Sequence, residues 1–230
     1  MGGTGLFLLS IIMRKYKLIL FDFDGTLVDT APDISLHANS ILNEFGLPVH
    51  AVSEIKKAVG RGVHELFKDL EPRFKEEPEL LEKTVVSFKR RYWDLPVIHT
   101  KPYPGVVEML SGPLGFFRKA IVTNKPHDLT QKILDKLSLS GYFEMVIGLD
   151  LAYPPKPDPA AVRHVLEALK AAPADALYIG DSKIDGQTCK NAGIDFAWVD
   201  YGYGGLDGIT PTMKFSSPSE WQSLASFVIK

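Results

Sequence analysis

Apolar and polar positions follow two different patterns along the chain. Residues 17–21 form a short apolar run that ends abruptly in DFDGT, a pattern typical of a buried strand that runs into a turn. From residue 32 to about residue 99 the apolar positions recur at helical spacing instead. One such stripe consists of Leu81, Val85, Phe88 and Tyr92. We therefore expect a strand followed by a helical block that contains no strand.

Strands and helices alternate from residue 103 onwards. Four more apolar runs have the length of strands and are separated by helical segments: residues 119–122, 145–149, 176–179 and 195–199. The segment 219–228 predicts a final helix. Alternation of this kind predicts an α/β fold with a parallel, doubly wound sheet, which the helical block interrupts after the first strand.

The overall composition excludes several classes of protein. The chain has 230 residues with 26 basic and 28 acidic side chains and no basic block, which argues against non-specific nucleic-acid binding. Its single cysteine, Cys189, cannot form an internal disulfide, so a cystine-stabilised secreted domain is not expected. We expect a cytoplasmic globular protein with neither nucleic acid nor a membrane as a partner. The oligomeric state stays open.

The N-terminal apolar run, residues 6–13, predicts no targeting signal. It is much shorter than the roughly 20 residues that span a bilayer. Arg14 and Lys15 follow it, whereas a secretory signal carries its positive charge in front of the apolar stretch. We assign residues 1–13 no role, and the chain could begin functionally at Met13.

Polar side chains follow three of the predicted strands at the point where each strand ends. In chain order these are Asp22 and Asp24, Thr123 and Asn124, and Asp181 and Asp185. Since ligands bind outside the carboxyl ends of parallel strands, we expect the three clusters to converge in space. Lys156, in the loop PPKPDP that leads into a helix, should approach the same edge of the sheet.

The converging groups predict a site for a phosphoryl group. Four carboxylates in one pocket repel each other unless a cation lies among them. Oxygen ligands without thiolates favour Mg²⁺, which often also binds phosphate oxygens. The hydroxyl of Thr123, the amide of Asn124 and the ammonium of Lys156 remain as donors for an anion. An acidic, metal-binding half beside a donor half is what phosphoryl transfer requires.

The four motifs together resemble those of the haloacid dehalogenase superfamily. DFDGT, the VTN triplet, KPDP and GDSKID occur here in that family's order and spacing. The resemblance implies a Rossmann-like core with a helical cap inserted after the first strand. We accordingly divide the chain into a core, residues 14–31 and 101–230, and a cap, residues 32–100. The segments flanking the cap, around residues 30–31 and 101–104, are expected to act as hinges.

The resemblance also implies a role for each motif residue. Asp22 resembles the nucleophile that forms an aspartyl-phosphate, and Asp24 resembles the general acid and base, whose presence favours a phosphatase over a dehalogenase. Thr123 and Asn124 resemble the residues that hold the phosphoryl oxygens, and Lys156 resembles the charge beside the nucleophile. The Mg²⁺ ligands that the family implies are Asp22, the backbone carbonyl of Asp24, Asp181 and Asp185, the last of which binds directly or through water.

Three neighbouring residues are given no catalytic role. Lys125, directly after Asn124, could point into solvent and is left out of the candidate site. Ser182 is expected to cap the helix that follows it. Asp33 is interpreted as a residue at the start of a helix.

Several further segments of the sequence indicate which phosphate ester is the substrate. LVDTAPDI, VGRGV, KPYPGV, VTNKP and YGYG resemble the members of the superfamily that hydrolyse 2-phosphoglycolate to glycolate and phosphate. Arg61, between Gly60 and Gly62, would give the cap a cation for the carboxylate of this substrate, since arginine binds carboxylates in a bidentate manner. An arginine in this position is equally expected as a solvent-exposed residue at the entry of a helix.

We therefore expect a Mg²⁺-dependent phosphoric monoester hydrolase that acts on a small phosphorylated metabolite. A phosphatase of sugar phosphates or of pyrophosphate, and a phosphomutase with the same motifs, remain open alternatives. A binding or regulatory protein on the same fold ranks lowest. Such a protein would usually have lost Asp22, Asp24 or Lys156, and all three are present.

Overall fold

The computed structural model describes residues 15–226. Residues 1–13, to which no role is assigned, lie outside this range, as do the last two residues of the predicted final helix, 227 and 228. None of the helices in the described part is both long and apolar enough to cross a membrane.

A six-stranded parallel sheet forms the centre of the fold, and a separate two-stranded antiparallel ribbon lies beside it. The strands in chain order are β1 Leu18–Phe21, β2 Val28–Asp29, β3 Lys101–Pro102, β4 Arg118–Pro126, β5 Met145–Leu149, β6 Ala176–Gly180, β7 Asp195–Val199 and β8 Met213–Phe215. The order in the large sheet is β5-β4-β1-β6-β7-β8, and β2 pairs with β3. The parallel, doubly wound sheet predicted from the alternating pattern is confirmed.

Helices occupy the connections between these strands, except those between β1 and β2 and between β7 and β8. The α-helices are α1 Ala31–Glu44, α2 Val52–Ala58, α3 Val63–Leu70, α4 Pro78–Asp94, α5 Val106–Ser111, α6 His127–Lys136, α7 Ala160–Ala168 and α8 Lys183–Ala192. Short 3₁₀ helices cover Pro72–Lys75, Ser140–Tyr142, Pro173–Asp175 and Pro218–Ser226. The predicted helical block is confirmed, because the helices α1–α4 fill the connection between β2 and β3. Its division from the core as a domain of its own stays a prediction.

Alternate residues of β1 face opposite sides of the sheet, as the strand geometry requires. Leu18 and Leu20 belong to one buried apolar cluster, which α7 completes, while Ile19 and Phe21 belong to another. The second cluster extends without interruption to buried residues of α1, α3 and α4. The strand is therefore buried on both faces, which explains why it is an unbroken apolar run in the sequence.

Three short strands and the end of a long one were not expected from the pattern. β2, β3 and β8 have only two or three residues each, too few to show a period of two. β4 continues to Pro126, four residues beyond the apolar run that ends at Val122. Thr123, Asn124 and Lys125 are thus strand residues instead of the turn after a strand.

The β2–β3 ribbon and Asp33 tie together the two segments that flank the helical block. Val28 pairs with Pro102 and Asp29 with Lys101. Asp33, in the first turn of α1 as predicted, is fully buried and accepts hydrogen bonds from the backbone amides of residues 98–100. The hydroxyl of Thr100 also donates to it, at 2.7 Å. The residues on either side of the cap boundaries are therefore anchored to each other, and the hinge role of the two segments stays a prediction.

Candidate active site

The strand order explains why three distant motifs meet. β1 lies between β4 and β6, and Phe21, its last residue, is in register with Ile121 on one side and Ile179 on the other. The residues that follow these positions therefore emerge side by side at the carboxyl edge of the sheet. Asp22, Thr123 and Asp181 all lie there and are buried.

An irregularity in β4 determines how residues 123–125 are placed at this edge of the sheet. Between Val122 and Pro126 the strand advances four residues, while its partner β5 advances two, from Ile147 to Leu149. The extra residues lie within the segment 123–125, and bulges of this kind re-aim side chains next to functional sites. Thr123, Asn124 and Lys125 are consequently all buried at the site.

Three buried carboxylates form a group that fits a divalent cation. One oxygen from each of Asp22, Asp181 and Asp185 lies within 4.8 Å of the others. Burial, together with the charges of Asp185 and Asp22, raises the pKa of Asp181 to about 8. Burial likewise raises the pKa of Asp22 to about 6, although Lys156 opposes the shift. A hard cation would relieve this crowding, and an all-oxygen donor set favours Mg²⁺.

The loop after β7 and the start of α8 hold two of these carboxylates. Asp181 accepts hydrogen bonds from the backbone amides of Tyr203, at 2.7 Å, and Gly204, at 3.0 Å. A Cβ atom on Gly202 would lie only 2.3 Å from the Cβ of Asp181, so this loop approaches closely because that residue is a glycine. Asp185 accepts from the backbone and hydroxyl of Ser182, which caps α8 as predicted.

Lys156 lies between two of the carboxylates. Its Nζ is 3.0 Å from Oδ1 of Asp22, 2.6 Å from Oδ1 of Asp185 and 2.9 Å from the hydroxyl of Tyr178. Burial alone would lower the pKa of Lys156, but the charges of Asp185 and Asp22 outweigh it and raise the pKa above the ordinary value. A charged ammonium therefore stands beside Asp22.

Asn124 holds the loop that carries Lys156. Its Oδ1 accepts from the backbone amide of Lys156 at 2.8 Å, and its Nδ2 donates to the carbonyl of the same residue at 3.1 Å. The same Nδ2 is 3.0 Å from the carbonyl of Gly60 in the cap. The structure thus gives the Asn124 amide a clear positioning role, and its contact with phosphate stays a prediction. Thr123 lies beside it and accepts from the amide of Lys125 at 3.2 Å.

Asp24 lies apart from the group of three carboxylates and has its own partners. The hydroxyl of Thr30 donates to Oδ1 of Asp24 at 2.5 Å. Nζ of Lys125 lies 3.1 Å and 3.3 Å from the two carboxylate oxygens. The interpretation of Lys125 as solvent-exposed is wrong, because the irregular segment of β4 turns its side chain inwards. Its place directly after Asn124, at the same strand end, is the sequence signal that could have identified it.

A cavity of about 390 Å³ lies between the carboxyl edge of the sheet and the cap. Its core side includes Asp22, Asp24, Thr123, Asn124, Lys125 and Asp181, and its cap side includes Val59, Val63, Leu66, Phe88, Tyr92 and Trp93. The structure does not bring Arg61 to this group. Its guanidinium contacts Asp69 within the cap, and among the described residues its neighbours Gly60 and Gly62 line the cavity instead.

Comparison with known proteins identifies the class. Residues 19–199 match the sequence model of the family described as haloacid dehalogenase-like hydrolase. The chain belongs to this family, and it is therefore an enzyme of the hydrolase class with the family's Rossmann-like fold. The resemblance that the four motifs predicted is confirmed.

Individual relatives support the same assignment. The phosphoglycolate phosphatase of Aquifex aeolicus is 39% identical over 206 residues, covering 89% of this chain and 94% of the relative. That of Thiobacillus denitrificans is 33% identical, covering 86% and 92%. The crystal structure of a predicted phosphoglycolate phosphatase from Haemophilus somnus 129PT is similar with a TM-score of 0.85 at 26% identity, covering 92% of this chain and 99% of that one.

Proposed function

We propose that this protein is a Mg²⁺-dependent phosphatase of small phosphate monoesters, with 2-phosphoglycolate as its preferred substrate. The observation that carries the proposal is the pairing of Asp22 with Lys156 at 3.0 Å, next to Asp181 and Asp185. This arrangement supports the proposal, because it brings together a carboxylate that can act as a nucleophile, a positive charge beside it and two further carboxylates that can help to hold a cation. The relatives named phosphoglycolate phosphatase support the choice of substrate.

The proposed reaction uses two carboxylates, Asp22 and Asp24. An oxygen of Asp22 attacks phosphorus and forms an aspartyl-phosphate, while the bond from phosphorus to the ester oxygen breaks. Asp24 donates a proton to the departing oxygen, which leaves as an alcohol. Asp24 then accepts a proton from a water molecule that attacks the aspartyl-phosphate, releasing phosphate and restoring Asp22. Ester and water are thus converted to alcohol and phosphate.

Charge stabilisation is the main task of the remaining residues. Mg²⁺ would be held by Asp22, Asp181, Asp185 and the backbone carbonyl of Asp24, and would neutralise charge on the phosphoryl oxygens. Lys156 offsets the negative charge of Asp22 as the phosphate dianion approaches. Thr123 offers its hydroxyl to a phosphoryl oxygen. Preorganised groups of this kind supply most of the rate enhancement in phosphoryl transfer.

The proposal also includes a residue that binds the substrate's carboxylate, Arg61, and a cellular location. For Arg61 to receive the carboxylate, its guanidinium would leave Asp69 and enter the cavity. Gly60 and Gly62 on either side both have positive φ angles, of 120° and 89°, which only glycine adopts readily. We propose a cytoplasmic location, which the buried, free thiol of Cys189 supports.

The experiment is a phosphate-release assay with Mg²⁺ over a panel containing 2-phosphoglycolate, sugar phosphates and pyrophosphate. We expect the highest kcat/KM for 2-phosphoglycolate, and loss of activity by a factor of about 10³ or more in Asp22→Asn. Asp175→Asn is the matched control, since Asp175 precedes β6 at the opposite edge of the sheet and pairs with Lys17. Mg²⁺ binding without turnover of any ester would refute the enzyme assignment in favour of a binding protein. An isomeric product without free phosphate would identify a mutase.

A further inference from the structure

Lys125 makes contacts that the proposed chemistry does not yet use. Its Nζ donates to both oxygens of Asp24, at 3.1 Å and 3.3 Å, and to the hydroxyl of Tyr92 at 3.1 Å. The side chain of Lys125 is only 3% exposed. Burying an ammonium group is costly unless it is paired and hydrogen-bonded, so these contacts determine where the group lies. Within residues 15–226, Asp24 and Tyr92 are the polar partners that the ammonium contacts.

Tyr92 brings the cap into this arrangement. It lies near the end of α4 and is buried, and its ring is 4.7 Å from the Lys125 ammonium. The next residue, Trp93, meets a second core lysine, because Nζ of Lys132 is 4.1 Å from the Trp93 ring and 2.6 Å from the Trp93 carbonyl. Two lysines of the core thus dock on consecutive residues of one cap helix. They differ in one respect, since Lys125 also contacts Asp24.

The Asp24 carboxylate is consequently held from two sides. The hydroxyl of Thr30 donates to one oxygen, and the Lys125 ammonium bridges both. A carboxylate with both oxygens engaged cannot rotate freely about its last torsion. Proton transfer to a departing oxygen depends on a position accurate to a fraction of an ångström.

We propose that Lys125, itself placed by Tyr92 of the cap, is a positioning residue that orients Asp24 for proton transfer to the leaving group. The inference rests on the proposed phosphatase function and extends it to a residue outside the four motifs. Through Tyr92, the orientation of Asp24 depends on the docking of α4 against the core. Lys125 itself exchanges no proton with the substrate.

The dependence of the reaction on the leaving group tests this role. 2-Phosphoglycolate and ethyl phosphate release strongly basic alkoxides that need the proton, whereas p-nitrophenyl phosphate releases a stable phenolate that needs it little. The kcat/KM value reports the steps up to the first transfer to Asp22, in which this difference appears. We expect Lys125→Met to lower kcat/KM by about 10- to 100-fold for both alkyl esters. For the nitrophenyl ester we expect a decrease of less than about 3-fold, because the proton contributes little there.

Two further variants complete the experiment. Tyr92→Phe removes the hydroxyl and keeps the ring. We therefore expect kcat/KM to decrease more for the alkyl esters than for the nitrophenyl ester, as in Lys125→Met, but by a smaller factor. Lys132→Met removes the other contact between lysine and α4, and should change all three kcat/KM values by the same factor. If Lys125→Met fails to fold, the comparison of Tyr92→Phe with Lys132→Met decides the question.

Three outcomes would overturn the inference or its basis, and they can be told apart. An equal loss for all three esters in Lys125→Met and Tyr92→Phe would show a general disturbance of the site and refute positioning. A loss confined to 2-phosphoglycolate would show that Lys125 binds the substrate's carboxylate instead. Wild-type protein that hydrolyses none of the esters would refute the proposed function itself.

Discussion

The ammonium of Lys156 lies 3.0 Å from Oδ1 of Asp22, the carboxylate proposed as the nucleophile. It simultaneously lies 2.6 Å from Asp185, so one cation separates two buried carboxylates. This geometry predicts that Lys156 contributes to stability as well as to reactivity, because removing it leaves two buried carboxylates without the cation between them.

Substitution of Lys156 tests both consequences. In Lys156→Met we expect the free energy of unfolding of the metal-free protein to decrease by about 3 kcal/mol, and kcat/KM to decrease by a factor of about 10² or more. Urea denaturation and phosphate-release assays measure the two effects. Lys183→Met is the control, since Lys183 forms a largely exposed pair with Asp207 at 2.9 Å, and such pairs contribute less than about 1 kcal/mol. Equal destabilisation by the two substitutions would contradict the expectation.

The crowded carboxylates predict an unusual pH dependence in the metal-free protein. Burial raises the pKa of Asp181 from 3.8 to about 8, so between these values the folded state binds more protons than the unfolded state. Stability should therefore fall as pH rises from about 4 to about 8. In Asp181→Asn we expect stability to decrease less steeply with pH, because the contribution of Asp181 is lost. Some decrease should remain, because the pKa of Asp22 is also raised. Thermal unfolding at several pH values in the presence of a chelator measures this slope, and an unchanged slope in the variant would disprove the assignment.

Binding of Mg²⁺ should counteract the loss of stability that the metal-free protein shows as pH rises. A cation that binds only the folded protein stabilises it by about 2.7 kcal/mol at a concentration one hundred times its Kd. We expect Mg²⁺ to raise the Tm of the wild-type protein more at pH 8 than at pH 5, because the cation competes with protons for the carboxylates. The shift in Tm should be largely lost in Asp181→Asn and kept in Asp175→Asn. Equal shifts in both variants would place the cation elsewhere.

Asp33 links the start of the cap to its end, and its charge should stabilise the fold. Burial raises the pKa of Asp33, but hydrogen bonds from Thr100, Ile98 and His99 outweigh it and hold the pKa below its ordinary value. Its contribution is therefore present at neutral pH and is lost as pH falls through the folded-state pKa. We expect Asp33→Asn to cost about 2 kcal/mol at pH 7, and less in acid.

The same exchange at an exposed position serves as a control. Asp94, at the end of α4, is exposed, and Asp94→Asn should change stability by less than about 0.5 kcal/mol. Urea denaturation of both variants at pH 7 and in mild acid provides the comparison. A difference between the two that does not depend on pH would show that the Asp33 contacts act without its charge.

Arg61 tests the predicted recognition of the substrate's carboxylate. If its guanidinium moves from Asp69 into the cavity when substrate binds, Arg61→Ala should raise KM more for 2-phosphoglycolate than for ethyl phosphate, by about 10-fold. Arg73→Ala is the control, because Arg73 lies on the cap surface and pairs with Glu77. Equal changes in KM for the two esters would refute the hypothesis that Arg61 binds the substrate's carboxylate.

Several residues of the candidate site could be located from the sequence alone. Asp22, Thr123 and Asp181 could be located beforehand because each comes at or just beyond the end of an apolar run, and the carboxyl ends of neighbouring parallel strands must lie at one edge. Lys156 could be added because its loop leads into a helix from that edge. These inferences need only local pattern and the geometry of a parallel sheet.

Other features required the assembled molecule. Whether Lys125 points inwards depends on the two extra residues of β4 relative to β5, a pairing that no local pattern reveals. The contact between Lys125 and Tyr92 joins residues 33 positions apart, on different elements, and exists only because Tyr92 of α4 lies against the carboxyl edge of the sheet. Sequence determined which groups are candidates for the chemistry, because strand ends and motif spacing are local. Tertiary packing decided which of these groups contact each other, because burial and the choice of partner depend on the whole fold.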